Sequence, residues 1–215
     1  MKPRRFARYS RNAIYNTRSH SPFTSDQVHV LFYLRMYHDA SVTSRLFLAA
    51  LPDAPTALRI HRLAGLLKRA HNFSGKLIPP DRLHVSLFFL GGLLEPFVHS
   101  ICEGANELRI SPFEISFDRT ASFRGRTGSC PFVLIGGEGL DRLKAFRRAL
   151  SAELARKGLK QRAGTSFEPH VTLLYDGRSV DEYPLGEPIS WTIDEIVLIR
   201  SRYGHVHVAK WRLRA

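Results

Sequence analysis

Two tripeptides in this sequence hold residue types that can do chemistry together: His84-Val85-Ser86 and His170-Val171-Thr172. Each sets an imidazole two residues ahead of a hydroxyl. Imidazoles titrate near neutral pH, so a pair can hold one ring neutral and the other protonated, as concerted general base and acid require. Neighbouring hydroxyls are donors for the non-bridging oxygens of a phosphate. Together these are the parts of an in-line displacement at a phosphodiester: a base, an acid and donors for the phosphoryl oxygens. That chemistry demands no metal and no cofactor, and a bound phosphate would raise the proton affinity of the acid. The tripeptide alone is a weak signal, because ten histidines supply about one such match by chance.

The elements around the tripeptides carry more weight. Residues 45–51 (RLFLAAL) form a short apolar run ended by Pro52, which predicts a buried strand. Asp53 can cap a helix in which Ala57, Ile60, Leu63, Ala64 and Leu67 recur at helical spacing. After a loop with Gly75, Pro79 and Pro80, residues 83–90 (LHVSLFFL) predict a strand stopped by Gly91-Gly92. The second half repeats this order. An apolar strand over residues 132–135 leads to a helix carrying Leu140, Leu143, Phe146, Leu150 and Leu154, closed by Gly158. Residues 169–175 (PHVTLLY) then predict a strand stopped by Asp176-Gly177. Leu48 precedes His84 by 36 residues, and Leu134 precedes His170 by the same 36, which points to an internal duplication.

In a strand, residues i and i+2 share a face. His84 and Ser86 should therefore point one way while Leu83, Val85 and Leu87 pack. The same alternation separates His170 and Thr172 from Val171 and Leu173. A pseudo-two-fold arrangement would bring the two pairs to face each other. Further strands are expected over residues 113–122, 189–201 and 205–213, with a helix near residues 98–108. The expected fold class is α+β: a bilobal duplicated fold with two small, mostly antiparallel sheets lining a central cleft and helices outside. Residues 44–215 would form that single domain.

Residues 1–43 read differently. They lack sustained periodicity, and Arg, Ser and Asn dominate up to Asp26, so a basic extension outside the fold is expected. An organelle transit peptide is the alternative reading. The chain carries a formal net charge of +13, of which residues 1–40 supply +5 and the rest +8. This excess favours polyanionic partners. Hydrophobic residues at 44% and charged residues at 24% argue against wholesale disorder and against a coiled coil. No apolar run approaches the roughly 18 residues of a membrane span, so no membrane association is expected. Cys102 and Cys130 are too few for a disulfide scaffold and suit a reducing, cytoplasmic setting. His205 and His207 share a strand face but have no nearby ligand to complete a metal set, and read as a solvated strand. Gly136-Gly137-Glu138-Gly139 lacks the ending of a phosphate loop and reads as a strand-to-helix turn. The stretch SFRGR, residues 122–126, reads as a polar hairpin turn or as a contact for RNA through Phe123 and its arginines.

RLHVSLFFLGG and EPHVTLLYDG, with histidines 86 residues apart, resemble the two H-x-[ST]-x motifs of the 2H phosphoesterase superfamily. The run LFLAALPD and the tail FLG are most similar to the RNA 2',3'-cyclic phosphodiesterases, also called 2'-5' RNA ligases. The resemblance covers about residues 44–213. It implies opening of a terminal 2',3'-cyclic phosphate to a 2'-phosphate, with reversible 2'-5' ligation in some members. Carried over by position, His84 would be the proton donor to the 3' leaving oxygen and His170 the proton acceptor on water. Ser86 and Thr172 would bind phosphate. The chain departs from the pattern twice. Ser86 stands where threonine is common and keeps the donor. Tyr175 stands where some bacterial relatives have arginine, and brings no fixed charge. A cation at the phosphate would then come from Arg124, Arg126, Arg200 or Arg202. The implied partner is RNA with a cyclic phosphate terminus, acted on by a monomer. The alternatives are a basic RNA-binding protein with a degenerate site, or a phosphodiesterase acting on a small cyclic nucleotide or an ADP-ribose cyclic phosphate.

Overall fold

The run that opens the regular pattern is buried along its whole length and forms strand β1 (Leu46–Ala50), stopped before Pro52. It belongs to a computed structural model that describes residues 46–91, 101, 109–126, 128–159, 167–201 and 204–215. The expected extension over residues 1–43, Cys102, Arg202 and nearly all of the expected helix near residues 98–108 lie outside the described residues.

Asp53 caps helix α1 (Ala54–Ala70) as its spacing predicts. Its carboxylate accepts from the Thr56 amide at 2.8 Å and from the Thr56 hydroxyl at 2.9 Å. Ala57, Ile60 and Ala64 form the buried stripe. Burying a side chain such as Ile60 contributes about 1.5–3 kcal/mol, whereas the solvent face of α1 carries Arg62 and Arg69. Strand β2 (Val85–Gly91) follows after a 3-10 turn over Pro80–Arg82. Strand β3 (Phe113–Ser122) leads into the repeated unit: strand β4 (Cys130–Ile135), helix α2 (Asp141–Arg156) and strand β5 (Val171–Asp176). Leu143, Phe146, Leu150 and Leu154 bury one face of α2. Gly158, with φ of +85°, ends it. The Gly158 amide donates to the Ala155 carbonyl and the Leu159 amide to the Leu154 carbonyl, the paired bonds of a left-handed helix stop. The Gly-Gly-Glu-Gly stretch is the strand-to-helix turn expected. A Cβ on Gly139 would stand 2.8 Å from the Ser116 side chain, so β3 and this turn approach closely.

Strands β6 (Tyr183–Ile193), β7 (Glu195–Arg200) and β8 (Val206–Arg212) complete the described elements. Residues 189–201 were expected as one strand and are two, separated at Asp194. The Asp194 carbonyl accepts from the Leu213 amide at 2.6 Å, outside the sheet ladder. β6 also begins earlier than its pattern indicates, because Pro184, Gly186 and Pro188 obscure it. Prolines are tolerated there because β6 is an edge strand.

The strands form an eight-stranded sheet in the order β6-β3-β4-β5-β2-β1-β7-β8, with antiparallel pairing throughout. The α+β class and the antiparallel pairing follow the expectation, while the two small sheets expected are joined into one. The two halves, β6-β3-β4-β5 and β2-β1-β7-β8, meet through a single pair, Val85 opposite Val171. The duplication is visible in that order, since the two repeat units meet at their second strands. Each helix also reaches across. α1 follows β1 yet packs on β5 and β6, where Arg59 forms an ion pair with Glu187 at 2.9 Å. α2 follows β4, packs on β3 and β2, and its Arg147 Nε donates to the Leu87 carbonyl at 3.2 Å.

Candidate active site

The single Val85–Val171 pair decides what surrounds it. Both valines are fully buried. In antiparallel strands the residues flanking a pair point to its opposite face. His84, Ser86, His170 and Thr172 therefore share one face of the sheet, with His84 on the side of Thr172 and Ser86 on the side of His170. Leu83, Val85, Leu87, Val171 and Leu173 are all buried, as the alternation predicts. The two histidines stand immediately before β2 and β5 rather than inside them.

Each imidazole is held the same way. His84 Nδ1 donates to the Arg82 carbonyl at 2.8 Å, and His170 Nδ1 donates to the Glu168 carbonyl at 2.8 Å. A carbonyl only accepts, so Nδ1 carries the hydrogen and Nε2 keeps the lone pair of the neutral ring. Nε2 is thus the nitrogen that can take or give a proton in both rings. Ser86 Oγ lies 3.1 Å from His84 Nε2 and donates to it when the ring is neutral. Aromatic rings support both histidines: Phe47 lies 5.0 Å from the His84 ring centroid, and Phe123 meets His170 edge-on at 5.0 Å. Burial lowers the proton affinity of His84 below its ordinary value. The Arg82 carbonyl partly offsets this, and the charges of His170 and Arg82 add to the lowering. A charge on His170 is therefore felt at His84.

Beneath the first pair, Phe47, Ala49, Val197 and Ile199 form an apolar floor. Ala121, Val133 and Ile135, with Phe123 against them, do the same beneath the second. β-bulges follow both hydroxyls. Ser86 pairs with Ala49 and Phe88 with Leu48, leaving Leu87 as the extra residue. Thr172 pairs with Val133 and Leu174 with Phe132, leaving Leu173 as the extra residue. The extra residue returns Phe89 and Tyr175, each three positions after its hydroxyl, to the face of the histidines. Both are well exposed, at 60% and 51%.

The end of β5 is fixed by Asp176, which is buried. Its Oδ2 accepts from the Ser74 amide (2.6 Å), the Ser74 hydroxyl (3.1 Å) and the Gly75 amide (2.7 Å), and its Oδ1 from the Arg178 amide (2.9 Å). The Arg178 and Gly75 amides lead in holding its pKa down to about 2. Gly75 is required here, since a Cβ would lie 1.9 Å from the Tyr175 carbonyl oxygen.

The arginines divide. Arg124 and Arg126 are exposed in the β3–β4 turn that also carries Phe123, so the hairpin and the contact with His170 both exist. Arg200 pairs with Leu46 and Val206, alternating with Ile199, and so lies on the other side of β7 from the floor of the site. His205, read from sequence as part of a solvated strand, is instead half-buried against His84, with ring centroids 5.0 Å apart. Phe47 and Phe89 were likewise missed. Their alternation within apolar runs marks them only as packing.

The described residues contain no helix long and apolar enough to cross a membrane. A protein of Archaeoglobus fulgidus named RNA 2',3'-cyclic phosphodiesterase is 31% identical over 130 residues, 60% of this chain and 70% of that protein. One of Aquifex aeolicus with the same name is 24% identical over 135 residues, 59% of this chain and 72% of that protein. Among solved structures, E. coli LigT complexed with 3'-AMP superposes with a TM-score of 0.62 at 25% identity, over 81% of this chain and all of that one. The family model of the 2'-5' RNA ligase superfamily matches residues 52–205, a span that takes in both histidine motifs. The chain belongs to the 2'-5' RNA ligase superfamily.

Proposed function

We propose that this protein hydrolyses the terminal 2',3'-cyclic phosphate of RNA to a 2'-phosphate, using His84 and His170 and no metal. The observation that carries this reading is the shared face of the two His/hydroxyl pairs, with both Nδ1 atoms tied to backbone carbonyls so that both Nε2 atoms are available. Water attacks phosphorus while His170 Nε2 takes its proton. The bond from phosphorus to O3' breaks, and His84 Nε2 delivers a proton to the departing oxygen. Ser86 and Thr172 donate to the non-bridging oxygens as charge grows on them. Exchange with solvent restores both rings.

The acid and base assignment follows the family pattern. Burial keeps His84 neutral more readily than an ordinary histidine. The negative charge of a bound cyclic phosphate opposes that effect and recharges the ring when substrate is present. Ligation by the reverse path would exchange the two roles. Exposed Arg124 and Arg126, beside the Phe123 that touches His170, are the cations best placed among the described candidates to meet the RNA backbone.

The test is turnover of a short RNA ending in a 2',3'-cyclic phosphate, in EDTA, beside His84→Ala and His170→Ala. The reading requires a 2'-phosphate product that both substitutions abolish. RNA binding without turnover would favour a binding protein. Turnover only of small cyclic phosphates would change the substrate and keep the chemistry.

A further inference from the structure

Three rings meet on the first half of the site. His205 lies edge-on to His84 at 5.0 Å and 71°, and edge-on to Phe47 at 5.6 Å and 70°. Phe47 in turn lies 5.0 Å from His84. His84 is thus flanked by an aromatic ring and an imidazole, whereas the described ring contact of His170 is with Phe123. Among the described residues, His205 Nδ1 is buried without a hydrogen-bond partner. An imidazole that leaves a nitrogen unsatisfied gives up free energy that a phenyl ring in the same place would not.

We propose that His205 is a positioning residue for His84, fixing the plane of its ring beside Phe47 and excluding water from its flank. The proposal rests on the catalytic reading of His84 above. His205 touches neither of the hydroxyls nor His170 in any described contact, so it acts through His84. The electrostatics agree with the geometry. Burial leads in lowering the pKa of His205, to about 4, followed by the charges of His84, Arg82 and His207, with Asp81 opposing them. Burial likewise leads for His84, with His170 and Arg82 adding to it. Both rings are held below the ordinary histidine value, so His205 is neutral around pH 7 and adds no charge beside His84. A neutral ring there keeps water from the charged form of His84 without adding a charge of its own.

The test is the ring titration of His84 in the full-length protein, followed by nitrogen-proton correlation spectroscopy and assigned with His84→Gln. In the wild type His84 should titrate below its ordinary 6.5. In His205→Ala, admitted water should move that titration up by about half a unit to one unit, a three- to tenfold gain in proton affinity. His205→Phe keeps a ring and its volume, so it should hold the His84 titration down and restore kcat to within about threefold of wild type. An unchanged His84 titration in His205→Ala, or one that His205→Phe fails to restore, overturns the proposal. A role confined to folding would lower the yield or kcat and leave the titration in place. Absence of turnover in the wild type would instead refute the catalytic reading, because the titration is measured without substrate.

Discussion

Replacing Ser86 by alanine removes one of the two proposed phosphoryl donors and leaves the histidines in place. A hydrogen bond to a charged group contributes about 1.5–3 kcal/mol, which would lower kcat/KM by about 10- to 150-fold. The structure narrows this range. In the free protein the Ser86 hydroxyl already donates to His84 Nε2 at 3.1 Å. It must give up that bond when it turns to the phosphate, so only the difference between the two bonds counts. The lower half of the range, about 10- to 50-fold, is expected for Ser86→Ala. Ser86→Thr retains the donor at an exposed position, and should stay within about threefold of wild type. The assay is initial-rate hydrolysis of a short cyclic-phosphate RNA at several pH values, with substrate affinity measured separately on His170→Ala. A loss below threefold in Ser86→Ala, with Ser86→Thr equally active, would refute the assignment of this hydroxyl to the phosphate.

The pH profile of kcat/KM should be bell-shaped, with the two apparent pKa values belonging to the histidine pair. Because burial lowers His84, the lower value should fall below 6.5 in kcat/KM and rise in kcat, where bound phosphate is present; equal values in both profiles would contradict this. Asp176 makes a separate claim about stability. Its folded pKa of about 2 lies below the ordinary 3.8, so its contribution is complete above 3.8 and is lost as pH falls through about 2. Thermal melts should show that loss in the wild type and not in Asp176→Asn, which should be less stable at pH 7. Activity should persist in EDTA, and strict dependence on an added divalent ion would remove the two-histidine mechanism. For longer RNA, KM should rise with salt if the basic surface guides the substrate, whereas a short cyclic nucleotide should show a weaker dependence.

Elements governed by local rules were legible from the sequence. β3 occupies the residues 113–122 its pattern indicated, α1 starts at its Asp53 cap, and α2 stops at Gly158. Hydrophobic alternation was enough to separate His84 and Ser86 from their buried neighbours. What depends on register between distant strands was not legible. Nothing near Val85 reveals that its partner is Val171, and that pair joins what read as two sheets. Nothing near His205 reveals His84, because their contact passes through the pairing of β8 with β7, β7 with β1 and β1 with β2. The same holds for Phe89 and Tyr175, whose common face depends on bulges that a strict two-residue period cannot register. The break at Asp194 was missed for the opposite reason: apolar residues continue on both sides of it, and only a backbone bond outside the ladder marks the corner.

The lone valine pair also has a mechanical consequence. A seam of one residue pair resists shear and twist poorly on its own. The loop after α1 adds ties to β5, through the Ile78 amide on the Leu173 carbonyl at 2.8 Å and the Ser74 and Gly75 amides on Asp176. Alignment of the two histidines then depends on struts placed elsewhere, and the crossed helices supply them: Arg59 braces α1 on β6, and Arg147 braces α2 on β2. Damage at the foot of either helix should thus loosen the spacing of the two histidine Nε2 atoms before it melts the protein.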